Sequence, residues 1–425
     1  MKKSSWLKTV LCTALVSAMP YAMAADDTIK VGVLHSLSGS MAISESALKD
    51  TVLMLIDEQN KKGGVLGKKL EPVVVDPASN WPLFAEKARE LLAKDKVSVT
   101  FGGWTSVSRK SVLPVYEELN GILFYPVQWE GQESSKNIFY TGATPNQQAI
   151  PAVDYLLEQG IQRFALLGTD YVYPRTTNKL LEAYLVSKGV NKDDIMVNYT
   201  PFSFSDWQSI VADVKKFASS GKKTAVVSTI NGDANVPFYK ELANQNVTPE
   251  QLPVIAFSVG EQELQGVDTK PLVGHLAAWN YFQSVDTADN QKFIQAWKTY
   301  RKDDKAVTND PMEATYIGFN MWVKAVEKAG TTETDAVSKA LIGIEVPNLS
   351  GGMAKMLPNH DISKPVLIGE IQEDGQFAIV QQTELVNGEA WSPYLPESKN
   401  LIADWTDPVN CGAYDTVAKT CTSQK

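Results

Sequence analysis

Short apolar runs alternate with longer segments of helical periodicity between residues 29 and 257. The first run is Ile29–Leu34, and in the following Ala47–Lys61 segment Leu48, Val52, Leu55 and Ile56 fall on one helical face. Further strands are predicted at Leu70–Asp76, Val97–Gly102, Ile122–Tyr125, Phe164–Gly168, Ile195–Tyr199, Thr224–Thr229 and Val254–Phe257, and further helices at Phe84–Lys94, Val107–Leu119, Gln147–Glu158, Arg175–Lys188, Trp207–Phe217 and Asn235–Leu242. This alternation predicts an α/β fold with parallel strands and right-handed crossovers.

The alternation is expected to divide into two doubly wound parallel-sheet lobes joined by a multi-strand hinge. Thr, Gly, Pro and Asn cluster at Thr141–Asn146, which predicts a first crossing between the lobes. Further crossings are predicted near Leu276–Gln283 and around Ile344–Gly352. The predicted first lobe is 25–143 with about 278–345, the second is 144–277 with about 346–395, and 396–425 forms a C-terminal tail.

The N-terminus has the pattern of a secretory signal peptide. Three lysines (Lys2, Lys3 and Lys8) accompany a mostly apolar segment, Trp6–Met19, which is too short to span a bilayer. Ala22-Met23-Ala24 then supplies a small-x-small cleavage site, so residues 1–24 are predicted to be removed. We therefore expect a mature protein that is exported to the periplasm.

The charge and the cysteines fit an exported protein. Loss of the three lysines would take the formal net charge from −9 to −12, and a chain this acidic is a poor binder of nucleic acid or anionic membrane. Cys411 and Cys421 would be the cysteines that survive cleavage. In an oxidising compartment we expect them to form a disulfide, the alternative being two free thiols.

Recognisable catalytic and metal motifs are missing from the sequence. The histidines are His35, His275 and His360, far apart along the chain, whereas a zinc or urease-like site needs several convergent nitrogen ligands. No H-E-x-x-H, C-x-x-C or G-x-S-x-G occurs, and Gly63–Lys69 fails the P-loop spacing. We therefore expect a protein that is not an enzyme and that uses no metal or cofactor.

Polar and aromatic residues follow five of the predicted strands. In a doubly wound sheet, ligands bind at the carboxyl ends of the strands, so these residues are expected to face one crevice between the lobes. The polar segments that follow these strands are Trp104–Ser106, Tyr125–Gly131, Asp170–Arg175, Asn231–Asp233 and Ser258–Glu261. Each segment alone could be an ordinary polar loop or a helix cap, and it is their shared position that predicts a binding site.

The same residues carry a resemblance to a known family. Gly32–Glu45 resembles the opening of urea ABC transporter substrate-binding proteins, which are type I periplasmic binding proteins related to the branched-chain amino acid and short-chain amide receptors. Gly103–Ser106, Ser108–Lys110, Tyr125-Pro126, Glu130-Gly131, Pro145–Gln148 and Asp170–Arg175 are similar to the same group. The resemblance covers nearly the whole mature chain and weakens after about Ala354.

The resemblance implies a role for each of several residues. Ser106, Tyr125 and Tyr173 match positions that bind an amide group, with Tyr171 as the alternative to Tyr173. Trp104 matches an aromatic position. Glu261 matches a second-lobe carboxylate that meets the ammonium group in amino-acid receptors. Val127 departs from the hydroxyl-bearing residue of the amide receptor, and Gln128 or Asn231 could replace that hydrogen bond.

The expected ligand is urea or a short amide. Urea has four N–H donors and one carbonyl acceptor, which Ser and Tyr hydroxyls and a carboxylate can satisfy. The expected partner is the permease of an ABC importer in the inner membrane, the only membrane contact expected, and the protein is expected to be a monomer. A branched-chain amino acid is the alternative ligand, and an amide sensor acting on transcription and an amidohydrolase are the alternatives from other classes.

Overall fold

A computed structural model of the protein describes residues 28–396 and, beyond them, the backbone of 401–404, 411–415 and 420–423. The predicted signal peptide lies outside the described residues, as do the side chains of Cys411 and Cys421. The cleavage site and the disulfide therefore both stay predictions.

The first sheet is built from the N-terminal part of the chain. Its strands are β1 (Thr28–Leu34), β2 (Lys69–Val75), β3 (Val99–Gly102), β4 (Leu123–Tyr125) and β5 (Ile138–Tyr140). Its helices are α1 (Ala42–Lys61), α2 (Trp81–Arg89), which continues as a π-helical turn over Glu90–Asp95, and α3 (Ser106–Glu118). All five strands are parallel, in the order β2-β1-β3-β4-β5. The central strands are apolar on both faces because helices cover both sides.

The second sheet begins after a short 3-10 turn at Pro145–Gln147. Its parallel strands are β6 (Arg163–Thr169), β7 (Ile195–Thr200), β8 (Thr224–Thr229), β9 (Val254–Ala256) and β10 (Leu276–Trp279). Its helices are α4 (Ala149–Glu158), α5 (Val172–Ser187), α6 (Gln208–Ala218) and α7 (Asn235–Asn244), with 3-10 turns at Lys192–Asp194, Gly232–Ala234 and Lys270–Leu272.

The rest of the chain adds to both lobes. Its helices are α8 (Ala288–Arg301), α9 (Asp310–Ala329) and α10 (Thr334–Leu341), and its strands are β11 (Glu345–Pro347), β12 (Met353–Lys355), β13 (Ser363–Lys364), β14 (Leu367–Ile371), β15 (Phe377–Gln382), β16 (Val386–Asn387), β17 (Leu401–Asp404), β18 (Cys411–Asp415) and β19 (Thr420–Ser423). Strands β14 and β15 extend the second sheet antiparallel, in the order β15-β14-β10-β9-β8-β6-β7. Strands β11-β12, β13-β16 and β17-β18-β19 form three small antiparallel sheets.

The predicted α/β fold with parallel sheets is therefore confirmed. Helices α8 and α9 return to the first sheet, since Phe293, Trp297 and Trp322 pack in its core. Val346 and Ile362 pack in that same core, whereas Leu367 packs in the core of the second sheet. We therefore propose that the third crossing lies at 363–366, after the position expected from the sequence.

Hydrogen bonds tie the three crossing segments together at the hinge. The amide of Gln147 donates to the carbonyl oxygens of Ile362 and Val386, both at 2.8 Å. The amide of Asn280 donates to the carbonyl oxygens of Gln147 (2.9 Å) and Pro365 (2.7 Å). Asn280 of the second crossing is therefore linked both to Gln147, which follows the first crossing, and to Pro365 of the third.

A buried lysine, Lys364, lies within the proposed third crossing. Lys364 Nζ is 2.7 Å from a carboxylate oxygen of Glu313 and 3.8 Å from one of Asp310, and all three side chains are fully buried. Burial opposes the charge on Lys364, but the two carboxylates outweigh it and raise its pKa above the ordinary value. Burial also raises the pKa values of Asp310 and Glu313, which share this one cation.

Candidate functional site

The carboxyl ends of strands from both sheets meet in a closed cleft between the lobes. Trp104 Nε1 of the first lobe donates to Asn231 Oδ1 of the second at 3.3 Å, and Gln128 Nε2 donates to Ser258 Oγ at 2.7 Å. At another point of the boundary, Ser44 Oγ donates to a Glu263 oxygen at 2.7 Å. Of the predicted site residues, the structure thus brings Trp104, Gln128 and Asn231 into contact across the lobes.

Two glycines and a helix cap shape the turn that presents Ser106. A Cβ on Gly102 would lie 2.2 Å from the carbonyl oxygen of Leu34, and Gly103 has a φ of +80°, so both positions require glycine. The side chain of Thr105 then accepts a hydrogen bond from the backbone N–H of Ser108 (3.2 Å). This cap starts α3 at Ser106 and directs the first helical turn into the cleft.

A buried ion-pair network lies directly behind Ser106. The hydroxyl of Ser106 is 2.5 Å from Glu130 Oε2, and Arg109 donates to the Ser106 hydroxyl (3.1 Å), to Glu130 (3.0 Å) and to Glu133 (2.9 Å). Lys110 Nζ is 2.8 Å from Glu133 Oε2. Arg109 and Glu130 are fully buried, and Glu133 is 2% exposed.

Tyr125 and Tyr173 contribute hydroxyl groups from opposite lobes. Tyr125 Oη donates to the backbone carbonyl of Trp104. Tyr173 Oη is buried and lies beside the side chains of Gln128 and Ser258, and Gln128 Oε1 is buried without a hydrogen-bond partner. Burial raises the pKa of Tyr173. A hydrogen bond from Gln128 acts to lower this pKa, and the charge of Glu130 in the other lobe acts to raise it further. The phenol of Tyr173 is therefore neutral.

Aromatic side chains close the cleft beside these hydroxyls. Tyr171 packs with Tyr173 and with Val107 of the first lobe, and its ring is 4.9 Å from that of Phe202. Tyr171 and Tyr173 are 5% and 3% exposed. The cleft residues are therefore shielded from water while the lobes are together.

Two other predicted site residues take no part in these cleft hydrogen bonds through their side chains. The apolar side chain of Val127 packs in the core of the first lobe, as the rings of Trp104 and Tyr125 also do. Glu261 lies near the hinge, where one carboxylate oxygen accepts a hydrogen bond from the backbone N–H of Gln283 (2.6 Å) and the other is buried without a partner. The predicted ligand-binding role of both residues stays untested.

Glu261 should make the stability of the protein depend on pH. Burial raises its pKa to about 8, helped by the charges of Glu263 and Asp310 and opposed by the Gln283 hydrogen bond. A carboxyl group whose pKa is raised on folding stabilises the protein below the unfolded value, about 4.3, and this contribution is lost as the pH rises through about 8. Relative to the Glu261→Gln variant, the wild type should therefore lose up to about 1.4 kcal/mol per pH unit in this window.

Guanidinium chloride unfolding of both proteins at half-unit pH steps from 4 to 9 would measure this difference. The variant keeps the shape of the side chain but cannot ionise, so the difference isolates Glu261 from the other buried carboxyl groups. A difference that stays constant over the range would show that Glu261 ionises as it does in the unfolded chain.

The residues that sequence reasoning did not assign to the site are mainly charged. Arg109, Glu130 and Glu133 were part of, or close to, segments with a family resemblance, but nothing in the local pattern distinguishes them from solvated charges. Ser258 begins a segment that is predicted to face the crevice but has no predicted role of its own, and Glu263 lies two residues beyond that segment. Glu130 and Glu133 are three residues apart, and so are Ser106 and Arg109. This matching spacing is the one feature of the sequence that could have indicated an interaction between the two pairs.

Two further properties concern the described residues only. Among helices between residues 28 and 396, none combines the length and the apolar character of a membrane span. Within the same part of the chain, His, Cys, Asp and Glu side chains form no group suited to holding a metal ion.

Comparisons with known proteins extend over most of the chain. Leu/Ile/Val-binding protein homolog 7 of Brucella melitensis biotype 1 is 22% identical over 398 residues, which are 88% of this chain and 96% of that protein. A shorter stretch of 116 residues, 27% of this chain, is 33% identical to limonene hydroxylase of Geobacillus stearothermophilus and spans only 21% of that protein.

Solved structures share the fold. A solute-binding protein of an ABC transporter from Rhodopseudomonas palustris HaA2, in complex with p-hydroxybenzoic acid, matches with a TM-score of 0.76 and 22% identity over 86% of this chain and 98% of that one. The family model described as "Periplasmic binding protein domain" matches residues 29–397. With a match over that length, and with two α/β lobes closed over polar strand ends, the chain belongs to the periplasmic binding protein domain family.

Proposed function

We propose that the protein binds urea, or a small amide with the same hydrogen-bonding groups, between its lobes and delivers it to the permease of an ABC importer. The observation that carries this proposal is the polarity of the cleft. The side-chain atoms there that have hydrogen-bonding capacity left are mostly acceptors, whereas a urea molecule consists mostly of donors.

The existing hydrogen bonds of the cleft determine this polarity. A hydroxyl has one proton to donate, and Tyr125 already donates its proton to the Trp104 carbonyl. Gln128 donates one amide N–H to Ser258 and has the other within reach of Tyr173, which leaves Oε1 as an acceptor. Tyr173 Oη can accept from Gln128 and still donate its own proton to one carbonyl oxygen. Several acceptors and one neutral donor suit the N–H groups and the single carbonyl of urea.

The same polarity is unfavourable for a carboxylate ligand. A carboxylate only accepts hydrogen bonds, so it would face acceptors that it cannot pair with. Each polar group left unsatisfied in this way would cost about 1–3 kcal/mol of binding free energy. Arg109, the cation beside Ser106, is not available to pair with a carboxylate ligand, because it is already paired with Glu130 and Glu133.

A branched-chain amino acid is the second candidate ligand. The name of the Brucella relative favours it, because that protein is a Leu/Ile/Val-binding protein homolog of almost the same length. Glu261 could meet the ammonium group of such a ligand, since one of its oxygens is buried without a partner.

Closure of the lobes would give a small ligand its affinity. Urea has four heavy atoms, and the ligand-efficiency ceiling of about 1.5 kcal/mol per atom limits its binding energy to roughly 6 kcal/mol, a Kd of some tens of micromolar. Only nearly complete burial approaches that limit. The exposure of 0–5% at Ser106, Tyr125, Tyr171 and Tyr173 supports such engulfment.

Calorimetric titration of the mature protein with urea, acetamide and leucine tests the proposal. We expect urea to bind with a Kd of some tens to hundreds of micromolar, acetamide to bind more weakly, and leucine to give no heat. Binding of leucine without binding of urea would assign the protein to the amino-acid receptors instead. The same samples incubated with urea should release no ammonia.

Tyr173→Phe locates the site within the same experiment. Loss of the phenol should weaken urea binding about 3- to 10-fold, as expected for one hydrogen bond. Tyr239→Phe is the matched control, because Tyr239 Oη is also a buried phenol in the second lobe. Tyr239 packs with Phe238 in the core of that lobe, whereas Tyr173 packs at the cleft. Equal effects of the two substitutions would remove Tyr173 from the site.

A further inference from the structure

The orientation of the Ser106 hydroxyl is determined by its two charged neighbours. The hydroxyl has one proton and two lone pairs. Arg109, 3.1 Å away, can only donate, and the carboxylate of Glu130, 2.5 Å away, can only accept. The Ser106 proton must therefore lie on the Glu130 side. The Tyr125 hydroxyl is also within hydrogen-bonding reach of Ser106, but its one proton goes to the Trp104 carbonyl, so one lone pair of Ser106 remains for another group.

Several contacts hold the network that imposes this orientation in place. Ser106 and Arg109 are three residues apart on α3 and so lie on the same side of the helix. The Arg109 guanidinium is held by Glu133 at 2.9 Å and lies 4.7 Å and 4.9 Å from the ring centres of Tyr125 and Trp129. Glu130 is fully buried and has Lys110 Nζ at 3.9 Å as a second cation.

We propose that Glu130 is a positioning residue that selects the ligand through Ser106: by accepting the Ser106 proton, it makes that hydroxyl an acceptor for ligand N–H groups. This inference rests on the proposed function and deepens it, because it names the group that rejects carboxylates. Amides and ureas can donate to Ser106 Oγ, whereas a carboxylate oxygen placed there would meet a lone pair. Glu130 need not contact the ligand to have this effect.

A double-mutant cycle between Glu130→Gln and Ser106→Ala tests the inference. The Gln side chain has the size of Glu but can donate its amide N–H to Ser106, which frees the hydroxyl proton to point at the ligand. We expect E130Q to raise the Kd for urea about tenfold in the wild-type background and less than about twofold in the S106A background. A role through Ser106 predicts this loss of effect, whereas a general structural role does not.

Glu133→Gln is the matched control for the cycle. Glu133 pairs with the same Arg109 from the same loop, and no hydrogen bond joins it to Ser106 in the described structure. We expect E133Q to lower the melting temperature about as much as E130Q does, with a change in urea Kd of less than about threefold. If E130Q weakens urea equally in both backgrounds, or if E133Q matches its effect on Kd, Glu130 acts only on the fold and the inference is wrong.

A measurement on the wild type keeps the inference testable if a variant fails to fold. Acetamide and acetate have nearly the same shape but present an N–H donor and an acceptor, respectively, at the same position. The wild type should bind acetamide at least tenfold more tightly than acetate. Equal affinities would overturn the assignment of Ser106 as an acceptor. Urea binding by the wild type decides the proposed function separately, because it does not depend on which way the Ser106 proton points.

Discussion

Arg109→Met is expected to lower the free energy of unfolding by about 3–5 kcal/mol, because it leaves two buried carboxylates with too little positive charge. Glu130 and Glu133 are 0% and 2% exposed, and Lys110 alone would remain to neutralise both. Burial acts to raise the pKa of Glu133, but Arg109 and Lys110 outweigh it and hold the pKa at about 2. In the variant this pKa should rise, so Glu133 should contribute less stability at pH values above its unfolded pKa.

Guanidinium chloride is the denaturant to use for this measurement, because urea is the proposed ligand and would stabilise the folded state. Arg89→Met is the matched control. Arg89 also makes two hydrogen bonds to one carboxylate, that of Glu118, but the two side chains are 49% and 57% exposed. Water and salt screen such a pair, so the unfolding midpoint of R89M should hardly change. Similar midpoints for R109M and R89M would show that the Arg109 network is not energetically important.

The lobe architecture was predictable from the sequence because parallel strands covered on both faces are continuous apolar runs. Strands such as Phe164–Gly168 and Thr224–Thr229 have this pattern and lie where it predicts, within a residue or two. The strand Ile138–Tyr140 was missed, since three residues give no periodicity. Elements after residue 280 were also not predicted, because they mix short antiparallel strands with helices that return to the first lobe.

The proposed position of the third crossing illustrates a limit of local patterns. The range expected from the sequence, Ile344–Gly352, ends at Gly351 and Gly352, and both have positive φ, as expected at a turn. Leu349 and Ala354 on either side of that turn nevertheless pack in the core of the first lobe. An apolar side chain in the sequence shows that it will be buried but does not show in which of two cores.

The candidate site was predictable in place but not in chemistry. Residues after strand ends do meet across the cleft, as the topology of two facing sheets requires. The direction in which each side chain points was not predictable in the same way. Glu261 and Ser258 belong to one loop, yet Ser258 accepts a hydrogen bond from Gln128, whereas Glu261 accepts one from the backbone of Gln283. Arg109 was not recognised as a buried cation, because its partners are 21 and 24 residues away and charged helical residues are ordinarily solvated.

Lys364→Met should destabilise the protein by about 3–5 kcal/mol near neutral pH, because it leaves Asp310 and Glu313 buried without a cation. Methionine has a similar length and suits an apolar site, so the cost comes from charge and not from a cavity. Burial already raises the pKa values of both carboxyl groups in the wild type, and loss of the lysine should raise them further. Groups with raised pKa values stabilise the folded state at low pH and lose that contribution as the pH rises through the folded value.

The deficit of K364M relative to the wild type should therefore be small at pH 5 and large at pH 8, as measured by guanidinium chloride unfolding. Lys355→Met provides the control, because Lys355 pairs with Glu345 at 3.3 Å while both side chains are about half exposed. Its midpoint should hardly change at either pH. Since Lys364 lies among the hinge segments, K364M should also weaken urea binding at pH 8 more than at pH 5. A deficit independent of pH would mean that Asp310 and Glu313 are neutral already in the wild type and that Lys364 is held by packing alone.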